Sequence, residues 1–269
     1  MQPLAPVPLS SGDLIADRRF EWARGAMADG DFAGAAEMLA QALELVPGYA
    51  AGWFALGEAL EKTGQREDAI EAFNKARAAD PADRHGAALQ LARLGAASAT
   101  TPPAYVRAVF DQYAPAFDKA LVEGLSYRAP NLLLKDVMSA QGAARFAHAL
   151  DLGCGTGLTG VAFRPYCNKL TGVDLSGGMI AQAKGKGIYD RLAEAEIAKF
   201  LNDEPASAYD LILAGDVFVY VPYLGPLFVA VMRTMKDGAL FGFTVETHDG
   251  GGMILRDTCL LYTSDAADE

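Results

Sequence analysis

Short apolar runs and helical patterns alternate along the second half of the chain. Such alternation predicts a doubly wound parallel sheet with helices on both faces, in which ligands bind at the carboxyl ends of the strands. The predicted strands end near Leu150, Asp174, Glu196, Ala214 and Val245, and the predicted helices cover 179–186 and 224–235.

Two local signals mark helix ends in this half. Ser176 is expected to cap the helix over 179–186, because a serine side chain accepts a hydrogen bond from a free N–H of the first turn. The residues Lys236-Asp237-Gly238 are expected to end the helix over 224–235, because glycine adopts the left-handed conformation that closes a helix.

The first half is rich in alanine and repeats itself with the 34-residue period of tetratricopeptide repeats. Small side chains let the two helices of a hairpin approach closely, and a proline ends the second helix. A further amphipathic helix over 84–94 is expected to cover the open end of the array. The matching positions are Trp22/Leu56, Ala23/Gly57, Ala26/Leu60, Ala35/Ala69, Leu39/Phe73, Ala42/Ala76 and Pro47/Pro81, and Trp53 leads the second copy.

These patterns predict an all-α repeat domain followed by an α/β domain. The array either packs against its neighbour or docks a protein partner on its concave face, and the sequence leaves both roles open. The expected segments are a disordered leader over 1–15, the repeats and their capping helix over 16–95, a linker over 96–103, the α/β domain over 104–258 and a non-native tail over 259–269.

A glycine-rich turn follows the first predicted strand of the α/β domain. Gly153, Gly155 and Gly157 permit positive φ and carry no Cβ, so the backbone can pass against a ligand and lead into a helix N-terminus. Asp174, at the end of the second strand, can accept hydrogen bonds from both hydroxyls of a ribose. The pair predicts a nucleotide-type cofactor.

Two cofactor classes use such a turn. The glycines at 155, 157 and 160 also satisfy the dinucleotide pattern, but that register would bury Asp151 inside the strand without a partner. If the strand stops at Leu150 or Asp151, the turn has the form Asp-x-Gly-x-Gly-x-Gly. The sequence then resembles the class I S-adenosylmethionine-dependent methyltransferases, whose Rossmann-like domain begins with this motif.

The resemblance implies S-adenosylmethionine as the cofactor. It implies Asp151 near the methionine amino group, the three glycines against the cofactor, and Asp174 on the ribose. The other residues that it implies around the cofactor are Leu175 and Met179 after the second strand, Glu196 and Ile197 beside the adenine, and Ala214 along the methionine.

Candidate residues for the methyl transfer follow the fourth and fifth strands. Asp216 is expected to face the pocket, with a strand-end cap as the alternative. Tyr220 and Tyr223 are expected to line the acceptor site or to pack, and His248 is a candidate base or a solvated loop residue. The acceptor implied by the resemblance is a small molecule, and the repeats leave a protein or a carrier-tethered substrate open.

The segment Tyr105–Asp118 also resembles the one that precedes the first motif in bacterial methyltransferases carrying tetratricopeptide repeats. In such enzymes the segment folds over the cofactor. The resemblance therefore implies that Tyr113 touches the methionine end and that Arg107 or Phe110 helps to close the pocket. The alternative is an amphipathic helix packed on the edge of the sheet.

Composition limits the partners. A net charge of −11 argues against a nucleic-acid binder, since phosphate contacts need a basic face. No apolar run approaches the ~20 residues of a membrane helix. The cysteines, Cys154, Cys167 and Cys259, lack metal-ligand spacing and form no disulfide framework, which predicts no metal and a cytoplasmic protein.

The last eleven residues, 259–269, back-translate without a gap to a transposase adapter used in short-read sequencing. They are therefore expected to be a cloning or assembly scar. Class I methyltransferases generally end with two more strands, so the resemblance implies a sheet that is truncated after its fifth strand. Phe241, Phe243, Thr244 and Val245 would then be partly exposed at an uncovered edge. The alternative is that Met253–Tyr262 supplies a short strand.

Three functions remain from the sequence alone. A methyltransferase explains the turn, Asp174 and the leading segment. An NAD-dependent oxidoreductase needs the alternative glycine register. A non-catalytic adaptor would bind a partner through the repeats and only sense the cofactor.

Overall fold

The computed structural model describes residues 9–98, 100–124, 127–141, 145–221, 223–246, 253–255 and 261–263. The chain forms two compact units, of which the first ends at Tyr105 and the second begins at Val106. Of the leader predicted over 1–15, residues 1–8 fall outside the described residues and residues 14–15 already belong to the first helix. Most of the tail over 259–269 also falls outside the described residues. Among the described helices, none combines the length and apolar character needed to cross a lipid bilayer.

The first unit is a helical array. Its two hairpins confirm the predicted repeats, because α2 and α4 each end two residues before a proline. The capping helix is shorter than predicted. Asp83 turns the chain in a left-handed conformation and its carboxylate accepts hydrogen bonds from Ala87 and Ala88, which starts that helix at Ala87. The helices are α1 (Leu14–Ala28), α2 (Phe32–Leu45), α3 (Ala50–Lys62), α4 (Arg66–Ala79) and α5 (Ala87–Arg93).

Small residues permit the packing of this array. A Cβ on Gly57 would lie 2.6 Å from the ring of Phe73, which is fully buried. The repeat equivalence of Trp22 and Leu56 does not extend to burial, since Leu56 is 8% exposed and Trp22 is 60% exposed. The reason is positional, because no described helix precedes α1 and packs on that face of it.

The second unit contains a five-stranded sheet in the order β3-β2-β1-β4-β5, with all neighbours parallel. The order reverses between β1 and β4, which is where a doubly wound sheet opens a crevice at its carboxyl edge. The strands are β1 (Phe146–Leu152), β2 (Cys167–Asp174), β3 (Arg191–Glu194), β4 (Tyr209–Ala214) and β5 (Met235–Phe243).

Helices cover both faces of this sheet, which confirms the predicted architecture. Leu133 and Phe163 pack with the strands on one face, and Phe200, Leu227 and Val231 pack with them on the other. The helices are α6 (Pro103–Tyr113), α7 (Phe117–Lys119), α8 (Ala129–Gln141), α9 (Leu158–Phe163), α10 (Gly177–Lys186), α11 (Ile197–Asp203) and α12 (Leu224–Thr234).

The predicted helix end at Lys236-Asp237-Gly238 is wrong. The helix α12 ends at Thr234, and β5 already begins at Met235, so these three residues lie in the strand. The carbonyls of Arg233 and Thr234 accept hydrogen bonds from Ser207 and Ala208, which draws the chain into the sheet. Gly238 has a φ of 73° and lies where the pairing of β4 with β5 shifts its register.

Two short strands follow β5. Residues Met253–Leu255 form β6 and residues Leu261–Thr263 form β7, and the two pair antiparallel in a separate sheet. The alternative of a short strand over Met253–Tyr262 is met in part, because Met253–Leu255 forms one, while residues 256–260 lie outside the described residues. Within the described residues β5 has β4 as its sole sheet neighbour, and Phe241, Phe243, Thr244 and Val245 are partly exposed, as predicted.

We expect Gly57→Ala to destabilise the helical unit by ~1–3 kcal/mol, because the added methyl overlaps the buried ring of Phe73. Gly25 is the matched control, since it lies in α1 with open space around its Cα. Gly25→Ala should stabilise that unit by up to about 1 kcal/mol through helix propensity. Denaturant unfolding followed by circular dichroism measures both, and a neutral or stabilising Gly57→Ala would contradict the packing argument.

Candidate functional site

The glycine turn between β1 and α9 holds three residues in the left-handed region. Gly153, Gly155 and Gly157 have φ values of 60°, 54° and 94°. A Cβ on Gly153 would lie 2.5 Å from Val217, whereas no heavy atom lies within 4 Å of one on Gly155. All three glycines are therefore required by the backbone, and Gly155 is the one that faces open space.

Tyr189 fills the space that several glycines leave open. A Cβ on Gly157 would lie 3.0 Å from its ring, one on Gly172 would lie 2.8 Å from it, and one on Gly160 would overlap its hydroxyl. The Tyr189 hydroxyl donates a hydrogen bond of 2.7 Å to Oδ2 of Asp151. Tyr189 was not predicted as a site residue, since no motif marks an aromatic side chain 38 positions away from its partner.

Asp151 lies inside β1, so the predicted end of the strand at Leu150 or Asp151 is wrong. The strand continues to Leu152, and the Asp151 carboxyl is 1% exposed. Burial raises its pKa to about 7, although the hydrogen bond from Tyr189 opposes the shift and the charge of Asp174 adds to it. The role of Asp151 near the methionine amino group stays a prediction.

Asp174 is the last residue of β2, as predicted. Its Oδ2 accepts a hydrogen bond of 2.8 Å from the N–H of Gly155, and its Oδ1 accepts one of 2.8 Å from the N–H of Ser176. Burial raises the pKa of this carboxyl, and the backbone N–H groups oppose the shift. Asp174 thus ties the open glycine of the turn to the loop after β2.

That loop leads directly into α10. The Ser176 hydroxyl accepts a hydrogen bond of 3.0 Å from the N–H of Met179, which confirms the predicted cap. Met179 is buried, and the carbonyl of Leu175 accepts a hydrogen bond of 3.0 Å from Nε of Arg107.

The two residues expected beside the adenine follow β3. Glu196 is exposed, and Ile197 is half-buried against the main hydrophobic core of the sheet. The structure also brings Glu194 to this edge, opposite Asp174 in the register. A Cβ on Gly177 would lie 2.9 Å from Oε2 of Glu194. Glu194 was not predicted as a site residue, although an acidic residue near the end of a strand was a signal.

A second polar cluster lies where β4 ends at the buried Ala214. Asp216 has a φ of 55°, an unusual conformation for a residue with a side chain. Its N–H donates to Oγ1 of Thr244 over 2.7 Å, and the Thr244 hydroxyl donates back to Oδ1 over 2.6 Å. Asp216 is also hydrogen-bonded to Tyr127, whose pKa is raised by burial and then by the Asp216 charge. Tyr127 was missed in the sequence.

Aromatic side chains from the leading segment meet this edge. The ring of Phe110 stands at 86° to that of Tyr220, with 5.3 Å between centroids. Tyr113 packs edge-on against Phe117 and is 41% exposed. Tyr223 is 68% exposed, which favours neither a pocket wall nor a packed core for it.

The leading segment also reaches the glycine turn. The Thr156 hydroxyl donates a hydrogen bond to Asp118, and Nζ of Lys186 lies 2.7 Å from the second oxygen of that carboxylate. His248 falls outside the described residues. In the described part of the chain, no three His, Cys, Asp or Glu side chains group closely enough to hold a metal ion.

Comparisons with known proteins agree with this geometry. Residues 150–241 match a family model described as a methyltransferase domain, and residues 26–94 match one described as a tetratricopeptide repeat. The chain is 37% identical over 106 residues to the human methyltransferase-like protein 27, and the match covers 39% of this chain and 43% of that protein. The chain thus spans less than half of this curated relative.

Two solved structures resemble part of this chain. A SAM-dependent methyltransferase from Leishmania major is 15% identical with a TM-score of 0.50, over 58% of this chain and 66% of that one. An S-adenosylmethionine-dependent methyltransferase from Clostridium acetobutylicum is 25% identical with a TM-score of 0.43, over 55% of this chain and 65% of that one.

We expect Asp151→Asn to remove a pH dependence of stability. An Asp whose pKa rises on folding takes up a proton as the chain folds, so its contribution to the free energy of unfolding falls between about pH 4 and pH 7. Between pH 5 and pH 8 the variant should therefore gain up to roughly 3 kcal/mol relative to the unsubstituted chain.

Denaturant unfolding at several pH values measures this difference. Asp136→Asn is the control, because Asp136 is exposed on α8 of the same unit. Parallel stability curves for Asp151→Asn and the unsubstituted chain would show that Asp151 keeps an ordinary pKa in the folded state.

Proposed function

We propose that the chain transfers the methyl group of S-adenosylmethionine to a small-molecule acceptor. The matches to a methyltransferase domain over residues 150–241 and to a tetratricopeptide repeat over residues 26–94 support this proposal. The cofactor would lie along the carboxyl ends of β1 to β4, where the order of the strands reverses. The curated relative is matched over less than half of its length. The activity and the acceptor of this chain are therefore proposed from its own residues.

The observation that carries the proposal is the link between Asp174 and Gly155. A carboxylate at the end of β2 is the group that holds ribose hydroxyls in folds of this kind. The Asp174 carboxylate accepts a hydrogen bond from Gly155, the one glycine of the turn that faces open space. A ribose bound by Asp174 would therefore lie on the same surface as the turn backbone that passes against the cofactor. These residues fit S-adenosylmethionine.

The other residues divide into shaping and contacting groups. Gly153 and Gly157 give the turn its path, because Val217 and Tyr189 occupy the space beside them. Asp151 is proposed to attract the methionine ammonium group. The remaining proposed contacts are Leu175 and Met179 at the ribose loop, Glu196 and Ile197 at the adenine, and Ala214 and Tyr113 at the methionine.

The sulfonium of the bound cofactor supplies an electrophilic methyl group, which leaves the protein to align the acceptor and to exclude water. Phe110 and Tyr220 are proposed to form an apolar wall beside the acceptor. Asp216 is proposed to orient the acceptor and to hold its proton at a carboxylate oxygen, since Thr244 and Tyr127 fix this side chain.

The experiment is a thermal-shift and calorimetric titration with S-adenosylhomocysteine, with NAD as the competing cofactor. We expect saturable stabilisation by S-adenosylhomocysteine alone, of about 2.7 kcal/mol at a hundred times its Kd. Asp174→Ala should abolish it, and Asp136→Ala, an exposed carboxylate on α8, should leave it unchanged.

Stabilisation by NAD alone would exclude the methyltransferase. Binding followed by formation of S-adenosylhomocysteine from S-adenosylmethionine, with a mixture of small-molecule acceptors, would support transfer. Binding of the cofactor without turnover on any acceptor would instead favour a cofactor-sensing adaptor.

A further inference from the structure

The loop that holds Asp174 is fixed from outside by α6, the helix of the leading segment. Ser176 stands at the centre of this arrangement. Its N–H donates to Asp174 over 2.8 Å, and its hydroxyl donates to Oδ1 of Asp111 over 2.5 Å while accepting from Met179. The carboxylates of Asp111 and Asp174 are thus joined through one serine.

A second hydrogen bond reaches the same oxygen of Asp111. The N–H of Gly178 donates to Oδ1 over 2.9 Å, so one atom of α6 holds both the hydroxyl of the loop and a free N–H of α10. One turn earlier on α6, Arg107 donates to the carbonyl of Leu175. Three consecutive hydrogen bonds therefore set the path of residues 175–178.

This close contact favours a glycine. A Cβ on Gly178 would lie 3.2 Å from Cα of Asp111 and 3.3 Å from Cβ of Ala114, which is closer than side chains normally allow. The backbone of α6 thus rests directly on the start of α10, and the two elements are held in place by a close approach as well as by hydrogen bonds.

We propose that Asp111 is a positioning residue for the cofactor, which acts through Ser176 and Gly178 to orient the carboxylate of Asp174. The inference rests on the proposed function, because it assigns the ribose of the cofactor to Asp174. Without the Asp111 oxygen, the Ser176 hydroxyl loses its acceptor and the N–H of Gly178 loses its partner. The loop then holds Asp174 in more than one orientation, which weakens binding.

The negative charge of Asp111 disfavours the charged form of Asp174, although its hydrogen bonds hold the loop in place. Its proximity contributes to raising the pKa of Asp174, because two carboxylates of like charge lie near one another. Asp111 must therefore contribute to cofactor binding as a hydrogen-bond acceptor and not through its charge. Both bonds go to Oδ1, and the amide oxygen of an asparagine accepts two hydrogen bonds from the same direction. We therefore expect asparagine at position 111 to preserve cofactor binding and alanine to weaken it.

The test is calorimetric titration of the full chain and its variants with S-adenosylhomocysteine. Asp111→Ala should raise the Kd about tenfold, as expected for the loss of hydrogen bonds to a charged group. Asp111→Asn should stay within about threefold of the unsubstituted chain, and the control Asp136→Ala should not change the Kd. Asp111→Ala should also lower the thermal midpoint without ligand, because the buried Ser176 hydroxyl loses its acceptor. The Kd is therefore measured at a temperature at which every variant is folded, which separates binding from folding.

Gly178→Ala gives an independent route to the same result, because its methyl pushes α6 away from the loop without changing any charge. We expect a similar rise in Kd, and this variant decides the matter if Asp111→Ala does not fold. An unchanged Kd in both variants, or an asparagine variant as weak as the alanine variant, would overturn the role of Asp111. Failure of the unsubstituted chain to bind S-adenosylhomocysteine would instead overturn the proposed function.

Discussion

The hydrogen bond from Tyr189 to Asp151 is the contact on which the candidate site depends. A carboxyl in the middle of a parallel sheet is costly to bury, and the phenol donor reduces that cost while its ring fills the space beside Gly157, Gly160 and Gly172. The position of the Tyr189 ring therefore sets the path of the glycine turn. Without the ring, three neighbouring glycines would face a void, and the turn would lose the surface against which it is packed.

Acidic groups collect at the carboxyl edge of the sheet, and their partners are mostly neutral. Asp111, Asp174 and Asp216 accept hydrogen bonds from hydroxyl or backbone N–H groups, as Asp151 does from Tyr189. Among the described residues, none of these four carboxylates forms an ion pair. Neutral donors satisfy the carboxylate oxygens without supplying a positive charge, and burial raises the pKa of both Asp151 and Asp174. A cationic ligand would favour the charged form of these carboxylates, and S-adenosylmethionine carries a positive charge on its sulfonium.

The helical unit depends on a different constraint. Small residues between its helices set how closely the helices approach. Gly57 and the small alanines at the repeat positions let each pair of helices approach until Phe73 and Leu39 are fully buried. A repeat of this kind buries its apolar faces against its neighbours. The same sequence position is therefore buried in the second repeat and exposed at Trp22, since no described helix lies before α1.

The sequence by itself determined the features that depend on neighbours along the chain. The glycine turn, the strand end at Asp174, the Ser176 cap and the helical repeat all follow from local conformational preference and spacing, and the structure has them where they were predicted. The resemblance to a known family supplied the cofactor, and the charge of −11 limited the partners.

Only the tertiary structure decided which side chains support that turn. Tyr189 acts on a residue 38 positions away and Asp111 on one 65 positions away, and no local pattern records such a pairing. The ends of β1 and the start of β5 were misplaced for the same reason. Pairing with β2 extended β1 past Asp151, because backbone groups inside a sheet must find hydrogen-bond partners across it. Pairing of Met235 with Tyr209 started β5 directly after α12, and Lys236-Asp237-Gly238 lie in the register shift that follows.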